Sequence, residues 1–279
     1  MKNLLLIFIM ALSVCPVELS AGTNGKADKA GTSFASDSKV KNHKKSKWDK
    51  YFTGNVNFIV ASPEAKGTEL YNNMITDPKT YIQDAAREVL NTLYFSPKDS
   101  IPYIKEIKYI LKDYDGISAK SGNGDFIQIA YSTRWVEKTF ENGGADKLDY
   151  ETKGVLYHEL THAYQLEPQQ CGSYGDGGPF WTLIEGMADA VRVANGCFTD
   201  KDRPKGGNYM DGYRTTGFFF CWIMNNKDKD FLKKLNRTTL EVIPWSFEGA
   251  FKKIFGKNEK YKIENLWKEY QIAVGDIKE

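Results

Sequence analysis

The chain has 279 residues with 38 Lys and Arg against 36 Asp and Glu, 27% charged and 41% hydrophobic, a composition that suits a folded protein and leaves net charge near zero. The basic surplus is local. Between Thr23 and Lys50 eight lysines face three aspartates, so the remainder from Tyr51 onward carries about three net negative charges, which argues against nucleic acid as the partner of the folded part.

Lys2 precedes the apolar run Leu4–Val14, too short to span a bilayer and placed where a secretory leader belongs. Residues 1–22 therefore read as a signal peptide with cleavage after Gly22, and the protein as exported, secreted or periplasmic. The alternative is a lipoprotein anchored through Cys15. Residues 23–50 are rich in Lys, Ser and Gly and poor in large apolar side chains. They read as a disordered linker, because such a stretch buries too little surface to offset its ordering entropy. It could also act as a tether to an anionic surface. Residues 51–279 remain as one domain, with no apolar run long enough to cross a membrane. A monomer is the expected state.

From Gly54 the sequence is mixed. The stretches Gly54–Ser62 and Glu106–Tyr114 are β-branched and aromatic, and Gly124–Ser132 alternates Phe126, Gln128 and Ala130 with Ile127, Ile129 and Tyr131, so all three predict strands. A helix is expected over 78–95, with Ile82, Ala85, Ala86, Val89, Leu90 and Leu93 on one face. "KSGNGD" ahead of Phe126 predicts a turn. The strand Gly124–Ser132 is the expected exposed edge of the sheet, on which a peptide could add as a further strand. After Asp146 helical patterns dominate: 149–167, 180–194, 209–225, 230–240, 247–255 and 263–273. The fold class is α+β, a small mixed sheet with a backing helix and then a helical C-terminal lobe.

Cys171, Cys197 and Cys221 follow the leader, an odd number that permits at most one intrachain bridge, with Cys171 to Cys197 the candidate pair. None stands in C-x-x-C spacing, which speaks against a thiolate metal site. The glycines of "GSYGDGG" lack a following Gly-Lys-Ser/Thr and read as loop punctuation.

Two of the three histidines in the chain lie in "YHELTHAYQ", four positions apart, with Glu159 directly after His158. On a helix, His158, His162 and Gln165 share a stripe, and imidazoles one turn apart can converge on one metal ion. Glu159 then projects beside that ion as a candidate base, which is the mechanical content of H-E-x-x-H. A helix with two surface histidines is the plain alternative. No third histidine follows at the required spacing, which makes a carboxylate the candidate third ligand. In "FWTLIEGMADAVR", Glu185, Asp189 and Arg192 form a polar stripe opposite Leu183, Ile184, Met187, Ala188 and Val191. Glu185 is the candidate ligand and Asp189 the candidate acceptor orienting a histidine ring. A solvated face with an Asp189–Arg192 pair is the alternative. Gly186, unfavourable in a helix interior, would let this helix approach a neighbour closely beside Glu185.

Together, "HELTHAYQ", "LIEGMADAVR", "GYRTTGFFFCW" and "LWKEY" resemble the basic secretory protein family of plants and bacteria, over about 51–273 and most closely from Val155 onward. The resemblance implies a zincin-like fold and a zinc metallopeptidase of the glutamate-liganded, gluzincin-like kind. His158, His162 and Glu185 would bind Zn2+, Glu159 would act as general base, and peptides or proteins would be the substrates. Tyr213 matches the tyrosine of the family's G-Y-x-x-T segment, as an oxyanion donor or as a packed core residue. The sequence departs from the family where "TTGF" puts Gly217 and Phe218 in place of a small residue and an arginine. A secreted, non-catalytic binding or defence protein that keeps the zinc scaffold is the alternative function.

Overall fold

The computed structural model describes residues 46–278. The leader, Cys15 and the linker as far as residue 45 lie outside the described residues. The packed body takes in the last residues of the stretch whose composition suggests a linker. Trp48 is fully buried, its indole N–H donating to Asn91 Oδ1 at 3.2 Å and its ring edge-on to Tyr51.

Four strands form one mixed sheet: β1 (Asn55–Val60), β2 (Glu106–Lys112), β3 (Ser118–Asn123) and β4 (Phe126–Ser132), in spatial order β1-β2-β4-β3. The first two pairings are parallel, and β3 returns antiparallel to β4. Three of these strands are the predicted ones. The fourth, "SAKSGN", hides in the predicted turn segment, because a strand paired on one side only needs no apolar alternation and polar residues suit it. Gly122 and Gly124, both at positive φ, bend the chain from β3 into β4. The expected edge is therefore corrected: β4 lies between β2 and β3 with both sides paired, and among the described residues the free edge on that side belongs to β3.

Connecting β1 to β2 are α1 (Lys66–Met74) and α2 (Pro78–Leu93). The second starts where Asp77 accepts from Thr80 N and Pro78 opens the first turn, and it buries the six apolar residues its periodicity marks out. Then come α3 (Thr133–Glu141), capped by Ser132, and α4 (Gly144–Tyr164), the longest helix described. It starts five residues earlier than its pattern suggests. Helix α4 packs against α2, α3 and the edge strand β3. The predicted helices that follow are α5 (Pro179–Ala194), α6 (Tyr213–Asn226), α7 (Phe231–Glu241), α8 (Phe247–Phe255) and α9 (Ile263–Ala273), all within a few residues of their expected bounds.

The core runs from the inner face of the sheet, where Tyr71, Tyr109 and Tyr131 make ring contacts, through α4 to an aromatic cluster of Phe219, Phe220, Phe231, Phe247 and Trp267 in the helical lobe. Each such ring taken fully from water contributes about 1.5–3 kcal/mol. Cys171, Cys197 and Cys221 are all unbridged, so the candidate Cys171–Cys197 bond is not formed. Cys197 is instead buried against the end of α5. No helix among the described residues is long and apolar enough to cross a membrane.

Candidate metal centre

Helices α4 and α5 are held close by a glycine and an arginine. A Cβ on Gly154 would lie 2.4 Å from Arg192 Nε, so only glycine leaves room for the guanidinium, which pairs with Glu151 at 2.8 Å and stacks on Phe198 at 3.8 Å. Arg192 thus ties α5 to α4 and does not pair with Asp189. On the other flank, a Cβ on Gly186 would sit 2.4 Å from Thr216 Cγ2, and one on Gly217 would sit 2.9 Å from Ala190 N. The neighbour that Gly186 admits is α6. Gly217, where the sequence departs from the family pattern, serves the same close approach from the other side.

This packing buries the polar stripe of α5: Glu185 is 0% exposed and Asp189 3% exposed, which excludes a solvated face. Across from them, the imidazoles of His158 and His162 meet at right angles with Nε2 atoms 3.1 Å apart. Glu185 Oε2 lies 3.4 Å from His158 Nε2 and 3.7 Å from His162 Nε2. Three ligand atoms around a tetrahedral ion with ~2.1 Å bonds are separated by about 3.4 Å, so the triangle has the size such an ion requires. Glu185 Oε2 is buried with no hydrogen-bond partner, a costly state for a carboxylate oxygen unless a cation faces it. His158, His162 and Glu185 form a group able to hold a metal ion.

The surrounding groups fix these ligands. His158 Nδ1 lies 2.8 Å from Asp189 Oδ1, a bond that places a ring proton on Nδ1 and turns Nε2 inward. Gln165 Nε2 lies 2.8 Å from His162 Nδ1; with the amide flipped, its oxygen would occupy that place and fix the His162 ring in the same way. Tyr174, from the glycine-rich loop, donates to Glu185 Oε1 at 2.5 Å and leaves Oε2 for the cluster. Burial opposes charge on His158, yet the hydrogen bond with Asp189 and the attraction of the Asp189 and Glu185 carboxylates prevail and raise its pKa to about 10. Burial drives His162 down to about 3. Burial also opposes the charge on Glu185, but the two imidazoles outweigh it and lower its pKa. These opposed shifts mark a pocket whose carboxylates call for positive charge between them.

Glu159 projects from α4 toward the edge strand. Its Oε1 accepts from Ser118 Oγ at 2.5 Å, while Oε2 is buried with no hydrogen-bond partner, and burial raises its pKa above the usual carboxylate range. Tyr213 opens α6 with φ of +39°, a backbone state rare for a residue with a side chain, directly after Gly212 at +67°. Its ring stacks on His158 at 6.1 Å and stands edge-on to Trp181, and its hydroxyl shares a hydrogen bond with Tyr174. All six predicted site residues, His158, Glu159, His162, Glu185, Asp189 and Tyr213, are thus within one constellation. Ser118 and Tyr174 join it, from the strand that carries no sequence pattern and from the glycine-rich loop. Only the Ser173/Asp176 capping pair hinted that this loop is ordered.

Residues 53–270 match the family model described as a peptidase of plants and bacteria. No curated protein and no solved structure matches the chain.

Proposed function

The chain belongs to the basic secretory protein family, peptidases of plants and bacteria, and from its buried His-His-Glu cluster we propose that it is an exported zinc metalloendopeptidase with a zincin-like arrangement of sheet, active-site helix and helical lobe. The observation that carries this reading is the ligand triangle with Glu159 beside it but outside it. Three protein ligands of N and O type, with no thiolate, suit a catalytic zinc rather than a structural one. Bound there, the ion would supply Lewis-acid polarisation of the scissile carbonyl and acidify water.

The protein's own residues do the rest. Glu159, its Oε2 unpaired and its carboxylate within electrostatic reach of His158 and Glu185, takes the proton from the attacking water and passes it to the departing amine, while Ser118 holds Oε1 and so aims the carboxylate. Asp189 and Gln165 orient the two imidazoles, and Tyr174 orients Glu185. Tyr213, whose ring stacks on His158, is the residue we assign to donate its hydroxyl to the developing oxyanion. The substrate lies extended along the free edge of β3, where main-chain groups offer strand pairing next to α4. Residues 1–22, read as a leader, would carry this activity out of the cytoplasm.

The test is metal content with activity on a mixed peptide library. One zinc per chain is expected, with cleavage abolished by a chelator and restored by zinc. Less than about a tenth of an equivalent, unrestored by added zinc, would refute the site.

A further inference from the structure

Strand β3 brings one further charged side chain to the centre. In the antiparallel register Ser118 faces Tyr131 and Lys120 faces Ile129, and both partners are fully buried on the helix-covered side of the sheet. Directly opposed residues share a face, so Lys120 lies on the same side as Ser118, whose hydroxyl bonds Glu159. Lys120 is half-buried, and no carboxylate among the described residues comes within 4.0 Å of its ammonium. The carboxylates that act on it most are Glu167, exposed just beyond α4, and Glu159, and its own charge is felt at His162. Burial, the largest influence on it, lowers its pKa, so those carboxylates do not repay the water it has lost.

An under-compensated cation on the free edge strand, two residues from the group that aims the general base, faces the path of any peptide paired to that edge. From this we infer that Lys120 selects substrates carrying a carboxylate within two residues of the cleaved bond. The inference rests on the metallopeptidase reading. The carboxylate has two sources, an Asp or Glu side chain inside a longer peptide or the free C-terminus of a short one. A lysine that only guards the sheet edge against unwanted pairing would exert no such preference.

The experiment compares zinc-loaded wild type, Lys120→Met and Lys120→Glu on matched synthetic peptides. At each position flanking the cleaved bond the set carries Asp or Glu, Asn or Gln, or Lys, and short members end in a free acid or an amide. Wild type is expected to cleave the carboxylate members with kcat/KM roughly 10- to 100-fold above their neutral isosteres, the range for a hydrogen bond to a charged group. Preference for internal Asp or Glu identifies the side chain as the recognised group, and preference for the free acid over the amide identifies the C-terminus. Lys120→Met should cleave both classes alike with its zinc and melting temperature unchanged, and Lys120→Glu should favour the Lys peptides. The readout also includes binding of the same peptides to Glu159→Gln protein by calorimetry, where the preference should persist. Cleavage indifferent to the carboxylate, or a preference that survives in Lys120→Met, overturns the inference and leaves the peptidase intact. Absence of cleavage on every peptide overturns both.

Discussion

The hydroxyl of Tyr174 donates to Oε1 of Glu185 at 2.5 Å, so a loop residue governs how the carboxylate of a helix presents itself to two imidazoles. Tyr174 also shares a hydrogen bond with Tyr213, which links the loop, α5 and the start of α6 around one cluster.

Removing that hydroxyl should loosen the ligand without removing it. Tyr174→Phe is expected to weaken zinc affinity about 10- to 100-fold, as for other groups that orient metal ligands, with little change in melting temperature of the metal-free protein. Competition against a fluorescent zinc chelator measures this directly. Unchanged affinity would reduce Tyr174 to a packing residue.

Glu185 and Asp189 lie one turn apart on α5 and are nearly equally buried, yet they touch the cluster differently. Glu185 Oε2 faces both Nε2 atoms, whereas Asp189 reaches only the far nitrogen of His158. Glu185→Ala should therefore abolish stoichiometric zinc after gel filtration, while Asp189→Ala should retain zinc at an affinity lower by about 10- to 100-fold. Equal retention by the two variants would show that the wrong carboxylate has been assigned to the metal.

Gly186→Ala offers a test of the packing that brings these helices together. On propensity alone alanine would stabilise the helix by about 1 kcal/mol. The added Cβ would meet Thr216 Cγ2 at 2.4 Å and Cβ at 2.8 Å within a fully buried contact, so the variant should instead be destabilised by about 1–3 kcal/mol. Thr216→Ser removes Cγ2 while keeping the hydroxyl that bonds Tyr209 O, and adding it should return part of the loss in chemical denaturation.

The helical half of this architecture was legible because period and burial agree: Ile82 to Leu93 on α2 and Leu183 to Val191 on α5 are the apolar faces that the fold buries. The site was legible for a related reason, since His158 and His162 lie one turn apart on a single helix, as do Glu185 and Asp189. What escaped was non-local. Strand β3 is polar and pairs on one side only, so Ser118 and Lys120 carry no periodic signal, and mistaking β3 for a turn also misplaced the sheet edge. Tyr174 reaches Glu185 from an irregular loop, a relationship set by tertiary packing. The loop context of Cys171 and Cys197 makes them the candidate pair, but both are unbridged, and Cys197 is buried with its carbonyl accepting from Arg192.

The central claim, that Glu159 performs chemistry at a metal it does not bind, is tested most directly by Glu159→Gln. Glutamine keeps the size of the side chain and an oxygen to accept from Ser118, but it removes the basic oxygen that must take the proton. Zinc content and melting temperature should equal those of wild type, while peptide hydrolysis falls by at least the ~10² to 10⁴ attributed to general base catalysis. A Glu159→Gln protein that hydrolyses peptides at the wild-type rate, or a zinc-loaded wild type that hydrolyses none while the variant equals it in every binding assay, would contradict the account and leave the fold as a metal-stabilised binding scaffold.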